Sequence, residues 1–304
     1  METKLTVGFI GLGMMGRPMA MNILKKGYPL VVWTRTREKV REFVEQGARV
    51  AETPKELAQT SDIVITMLAT PKATEDVVFG KEEWKGVGVI DGLGPGKILI
   101  NMATDPPTLG KRIAEEVAKK GCEFVDAPVI GSVKPATEGK LTILAAGKKE
   151  VVEKVKPVLE TMGRVMYVGP TGSGEALKLV MNMHLNIITA AFAEAFIFGV
   201  KLGLDPKVIV DAFNNSVFKT YITETKGPKV LARDWTPAFP VELAYKDVTL
   251  ALEAAKEANA PAPLLSLVRD LYSVALNHGE GKLDYCAMVK VYERLANVEA
   301  PKVL

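Results

Sequence analysis

The feature that most constrains this chain is Gly11-Leu12-Gly13-Met14-Met15-Gly16, which joins an apolar run to a helical pattern near the start of the sequence. Val7-Gly8-Phe9-Ile10 reads as a buried strand, and residues 15–26 carry helical spacing, so the glycines stand at a strand-turn-helix junction. In that setting Gly11 permits the tight turn, Gly13 lets backbone approach a pyrophosphate, and Gly16 lets the helix pack on the strand. The helix N-terminus then faces the phosphates. The spacing alone also suits an ordinary glycine turn; its place after a strand and before a helix favours a dinucleotide site in a Rossmann unit.

A second strand, residues 29–34, runs into Thr34-Arg35-Thr36-Arg37. This lies about 20 residues on, where an NAD enzyme places Asp or Glu against the ribose hydroxyls. Here the position is basic. Arg35 suits a forked contact to a 2′-phosphate, Thr34 and Thr36 add hydroxyls, and Arg37 or Lys39 adds charge. The alternative is a solvated basic turn. The pattern therefore predicts NADP(H) rather than NAD.

Apolar runs at 5–10, 29–34, 62–68, 87–90, 98–102 and 123–128 read as buried strands of a parallel sheet. Helical patterns at 15–26, 37–46, 54–58 and 106–120 separate them. This alternation predicts an α/β fold with a doubly wound sheet. Strands at 141–146 and 165–168, with a helix at 150–162 between them, extend it. Beyond Gly172-Ser173-Gly174 only helical patterns remain, at 175–202, 206–214, 241–259, 263–278 and 284–295. For 304 residues two domains are expected: a Rossmann domain over 1–170 and an all-α domain over 171–304 that begins with a helix about 40 Å long.

Composition narrows the partners. Thirty-nine basic and 36 acidic residues are interspersed for a net charge of +3, which argues against nucleic acid or a membrane surface. Residues 179–200 are apolar enough to be weighed as a membrane span, but Asn182, His184, Asn186, Thr189 and Glu194 interrupt them, so a helix buried between domains is favoured. Cys122 and Cys286 lack metal-ligand spacing, so no metal is expected and reduced thiols in a cytoplasmic protein are. His184 and His278 belong to no motif, which makes a histidine-based dehydrogenase improbable. The long helix carries more apolar surface than one small helical domain covers, so a homodimer or homotetramer is expected.

Four blocks together resemble the β-hydroxyacid dehydrogenase family along essentially the whole chain. They are Gly8 to Gly16 with Trp33-Thr34-Arg35-Thr36; Asp126-Ala127-Pro128-Val129-Ile130-Gly131-Ser132 continuing to Gly147; Gly172-Ser173-Gly174 with Lys178 and Asn182; and Lys246-Asp247. Lys134-Pro135-Ala136, Leu144-Ala145-Ala146-Gly147 and the arginine at the second strand are most similar to the glyoxylate and succinic semialdehyde reductase branch.

The resemblance implies an oxidoreductase that moves hydride between NADP(H) and a small hydroxy acid or aldehyde acid. It makes Lys178 the general acid and base and Asn182 the group that holds substrate and orients that lysine. On spacing alone Lys178 and Asn182 share one helix face, and an ion-paired or snorkelling lysine is the plainer account. Desolvation and a positive nicotinamide nearby would lower the lysine pKa toward the working range. Ile130, Gly131 and Ser132 offer backbone N–H groups to a substrate carboxylate; the family usually has serine where this chain has Ile130, and Ser132 is the candidate to compensate. Thr104 matches a threonine near the nicotinamide ribose, and Lys246 reaches back to the cofactor; Met67 and Leu68, at the end of a strand pattern, line the cofactor cleft or serve as core or turn. Asp247 pairs with Lys178 or braces its helix. An imine reductase on the same fold generally lacks the lysine, and a non-catalytic dinucleotide-binding module predicts its loss; Lys178 counts against both.

Overall fold

The computed structural model describes residues 4–303, which form two compact units, one up to Lys178 and one from Leu179 on. In the first unit β1 (Val7–Ile10), α1 (Gly16–Lys25), β2 (Leu30–Trp33), α2 (Arg41–Val44), β3 (Arg49–Val50), α3 (Pro54–Gln59) and β4 (Ile63–Thr66) build the first half of one sheet. α4 (Pro71–Phe79), α5 (Val89–Gly92), β5 (Ile98–Asn101), α6 (Pro107–Ala118) and β6 (Glu123–Asp126) follow. β7 (Val129–Ile130), α7 (Val133–Thr137), β8 (Leu141–Ala146), α8 (Lys149–Leu159) and β9 (Gly163–Gly169) complete the unit, with the start of α9 (Ser173–Lys201).

The strand order is β3-β2-β1-β4-β5-β6-β8-β7, with β9 also paired to β8. From β3 to β6 every pair is parallel. The order reverses between β1 and β4, the point at which doubly wound sheets open a crevice past their carboxyl ends. β8 then runs antiparallel to β6 and β7 and parallel to β9, so the far edge is mixed rather than parallel throughout.

Burial on both faces explains the continuous apolar strands. β1, β2, β4 and β5 are buried at every residue. The pleat sends Phe9, Val32, Ile65 and Ile100 to the side of Met19 and Ile23 on α1. It sends Ile10, Val31, Val64 and Leu99 to the opposite side, with Leu57 of α3 and Ile113 of α6.

Two local expectations fail. Residues 87–90, predicted as a strand, lead instead into helix α5, because the Asp91 carboxylate accepts the Gly88 N–H at 2.9 Å and caps the turn. A short apolar run serves a buried helix as well as a buried strand. The helix predicted over 37–46 is a 3-10 turn followed by α2. α4 is also absent from the sequence reading, although Thr70 accepts the Ala73 N–H at 3.2 Å and Pro71 sits at the first helical position.

The second unit holds the rest of α9, then α10 (Pro206–Asn214), α11 (Tyr221–Thr225), α12 (Gly227–Leu231), α13 (Val241–Glu257), α14 (Pro263–Asn277) and α15 (Met288–Ala296). No strand occurs among its described residues. α9 is the one helix among the described residues long and apolar enough to cross a membrane by length and composition. Two of its polar residues have partners inside the helical unit. Asn182 donates to Asp247 on α13 at 2.6 Å, and Asn186 accepts the Tyr272 hydroxyl of α14 at 2.8 Å. The division between the units falls inside α9, after Lys178, because the first turn of that helix is hydrogen bonded to β5 and β6.

Candidate active site

In the first unit the site is built from strand ends held in register. Ile10 pairs with Trp33 and Thr66, Thr66 with Asn101, and Asn101 with Asp126, so β1, β2, β4, β5 and β6 end in one row. The residues that follow this row are therefore neighbours. They include Gly11 to Gly16, Thr34 to Thr36, Met67 and Leu68, and Thr104, which the sequence analysis assigns to a dinucleotide.

Gly11 turns with φ +102°, and its N–H donates to the Trp33 carbonyl at 3.1 Å. A side chain here would be strained in φ and would strike the Met67 carbonyl oxygen at 2.2 Å. Leu12 is buried in the core, whereas Gly13 and Met14 face solvent. No side chain caps the start of α1, and its first turn has no acidic residue, which leaves the helix N-terminus suited to an anion. A Cβ on Gly13 would meet nothing within 4 Å, so this turn is a cradle that a pyrophosphate fits.

At the end of β2, Thr34 is buried, and Arg35 and Thr36 are exposed. Arg37 donates to the Ala51 and Glu52 carbonyls at 3.2 and 3.1 Å and pairs with the Glu52 carboxylate at 2.6 Å. It is thus tied to the end of β3, and Arg35 and Lys39 beside it are exposed. The Arg17 guanidinium on α1, unremarked in the sequence analysis although it follows Gly16 directly, pairs with Glu42 of α2.

Ile130 ends β7 half-buried, Gly131 has φ +135°, and Ser132 immediately precedes α7. The Ser132 hydroxyl makes no capping bond, while its carbonyl accepts the Ala136 N–H at 3.0 Å.

Lys178 is half-buried at the close of the first unit, and Asn182 follows one turn later on α9. In the second unit Asp247 is 3% exposed; it accepts from Asn182 and pairs with the Lys246 ammonium at 3.0 Å. Thr104 is half-buried, and His184 and His278 are exposed. Among the described residues no three His, Cys, Asp or Glu side chains are grouped to hold a metal.

The sequence reading misses a buried polar cluster at the start of α9. Asp126 accepts the Gly172 and Glu175 N–H groups at 2.9 and 3.1 Å. Burial pushes its pKa up, against the lowering effect of these bonds. Asn101 bridges Asp105 and Glu175, donating at 2.9 and 3.2 Å. The one signal in the sequence is an acidic residue opening an apolar helix.

The comparisons fit this geometry. Residues 6–169 match the family described as the NAD-binding domain of 6-phosphogluconate dehydrogenase. Residues 172–292 match that described as the NAD-binding domain of NADP-dependent 3-hydroxyisobutyrate dehydrogenase. The chain is 36% identical to 2-(hydroxymethyl)glutarate dehydrogenase of Eubacterium barkeri, covering 98% of each. It is 35% identical to the chloroplastic glyoxylate/succinic semialdehyde reductase 2 of Arabidopsis thaliana, covering 97% of this chain and 81% of the relative. The solved structure of Mycobacterium tuberculosis 3-hydroxyisobutyrate dehydrogenase with L-serine superposes with a TM-score of 0.86 at 28% identity, covering 95% of this chain and 99% of that one. With both parts matched and the likeness extending over nearly its full length, the chain belongs to the β-hydroxyacid dehydrogenase family of nicotinamide-dependent oxidoreductases.

Proposed function

We propose that the protein interconverts a small hydroxy acid and its aldehyde acid with NADP(H), with Lys178 as the general acid and base. The substrate class is that of 3-hydroxyisobutyrate, serine, glyoxylate or succinic semialdehyde. The observation that carries this reading is the place of Asn182, one helical turn after Lys178, with its amide donating to the buried Asp247 carboxylate at 2.6 Å. The names of the relatives support the substrate class.

When bound, the reduced nicotinamide supplies the hydride. In reduction the Lys178 ammonium gives a proton to the substrate carbonyl oxygen; in oxidation the neutral amine takes the hydroxyl proton. Asn182, fixed by Asp247, hydrogen bonds the substrate and holds it against the lysine. Backbone N–H groups at Ile130, Gly131 and Ser132 receive the carboxylate, and the Ile130 side chain replaces a hydroxyl contact with an apolar one. Met67, Leu68 and Thr104 line the nicotinamide side, and Lys246 serves the cofactor.

Rates measured with NADPH over glyoxylate, succinic semialdehyde and methylmalonate semialdehyde, and with NADP over serine, 3-hydroxyisobutyrate and 2-(hydroxymethyl)glutarate, test the reading. Turnover of at least one is expected. Silence with all of them would sink it in favour of a binding module.

The exposed Arg35 and the neighbouring threonines support NADP over NAD. Arg35→Ala is expected to weaken NADPH binding about 10- to 100-fold, the worth of one charge-assisted fork, and NADH binding less than about threefold. Equal losses for the two nucleotides, read by fluorescence titration, would remove the 2′-phosphate contact.

Association of two or four copies is supported by the outer apolar stripe of α9, the turn after it and α10. Phe198, Leu202 and Val208 there are 65%, 64% and 58% exposed. Sedimentation equilibrium is expected to give a dimer or tetramer, and a monomer at micromolar concentration would refute it.

A further inference from the structure

Glu175 is fully buried on the first turn of α9, three residues before Lys178, and the proposed reaction does not use it. Two elements converge on its side chain. Asn101, the last residue of β5, donates to its Oε1 at 3.2 Å, and the Asn101 amide is itself oriented because its Oδ1 accepts the Thr66 hydroxyl at 2.9 Å. Gly110 of α6 stands over the other edge, where a Cβ would lie 2.1 Å from Oε2. The backbone of Glu175 is anchored as well, its N–H donating to Asp126 on β6. Both the side chain and the main chain of this one residue are therefore tied to strand ends, and Lys178 follows at the spacing that makes helix residues neighbours.

We propose that Glu175 is a positioning residue for Lys178, its carboxyl group locking the first turn of α9 onto Asn101 beneath Gly110 and so fixing the point from which the lysine projects. The proposal rests on Lys178 being the proton donor assigned above. The group that does this is the neutral acid. Its Oε2 is buried without a hydrogen-bond partner, and Asp126 and Asp105 face it from β6 and from the segment before α6. Lys111 of α6 runs along Gly172 on the same turn. Burial first, then the charge of Asp126, then that of Asp105, hold the carboxyl well above the usual carboxylate range.

The sign of the pH dependence follows. A folded-state pKa above the unfolded value contributes stability that is complete below the unfolded pKa and is lost as pH rises through the folded one. Glu175→Gln removes that titration and keeps the shape. It is expected to melt with the natural protein at or below pH 4 and well above it at pH 9, with kcat within threefold and the alkaline limb of the rate profile in place. Glu175→Ala is expected to lower kcat at least tenfold with the NADPH dissociation constant unchanged. Glu175→Met, similar in volume and without the hydrogen bond, takes its place if that variant does not fold.

A Gln variant less stable than the natural protein at pH 9 would overturn the neutral acid. Undiminished kcat in the Ala or Met variant, against an active natural protein, would overturn the positioning role alone. Lack of turnover by the natural protein itself would instead remove the assigned reaction, and the positioning role with it, while the melting comparison still decides the protonation state.

Discussion

Lys178→Ala is expected to lower kcat by about 10²- to 10⁴-fold while NADPH binds within about a factor of two of the natural protein. The range is what a positioned general acid or base contributes. Alanine is the strongest helix former, so α9 keeps its course, and the ties at either side of position 178 are untouched. Those ties are Glu175 to Asn101 and Asn182 to Asp247. The glycine turn proposed for the nucleotide lies on other elements of the first unit. Lys178→Arg sharpens the experiment: it restores the positive charge on a group that does not give up its proton near neutral pH. If Lys178 acts only by attracting a carboxylate, the arginine variant recovers activity; if it transfers the proton, arginine stays close to alanine. Activity within tenfold of the natural protein in both variants would sink the mechanism.

Much of the dinucleotide half was legible because its signals are local. The glycine spacing, the strand before it and the basic turn after the second strand lie within a few residues of one another, and parallel register then aligns the strand ends without further information. The helical second unit was legible for a similar reason, since long periodic patterns admit one reading. Residues 87–90 were misread because a four-residue apolar run has no period to measure, and the cap that decides it is one carboxylate, Asp91. The bond from Arg37 to Glu52 had no signal in the sequence, because it depends on where β3 ends, and β3 is two residues long. Glu175 lay further out of reach. Its partners Asn101 and Asp126 stand 74 and 49 residues earlier, and only the folded sheet brings them to one helix turn. The antiparallel β8 depends likewise on the two-residue strand β7, too short to carry alternation.

Gly16→Ala and Gly13→Ala are expected to fail in different ways, which separates the packing role of the turn from its binding role. A Cβ at Gly16 would lie 1.9 Å from the Gly11 carbonyl oxygen and 3.1 Å from the Phe9 ring. The nearest atom is backbone, so relief requires α1 to shift away from the end of β1, and Phe9 is fully buried in the core that α1 covers. Overpacking of this kind costs about 2–3 kcal/mol, which lowers the melting temperature by about 5 °C or more in a chain of this size. The shift also moves the helix N-terminus from the phosphates, so NADPH affinity is expected to fall about 100-fold. Gly13 has open space instead, and alanine there is expected to leave the melting temperature of the unliganded protein within about 1 °C while the added methyl group occupies the approach of the pyrophosphate. The same loss of about 100-fold in NADPH affinity then appears without any loss of stability. Normal NADPH binding by the Gly13 variant would move the pyrophosphate off this turn, and an unchanged melting temperature for the Gly16 variant would show that α1 slides on β1 at little cost.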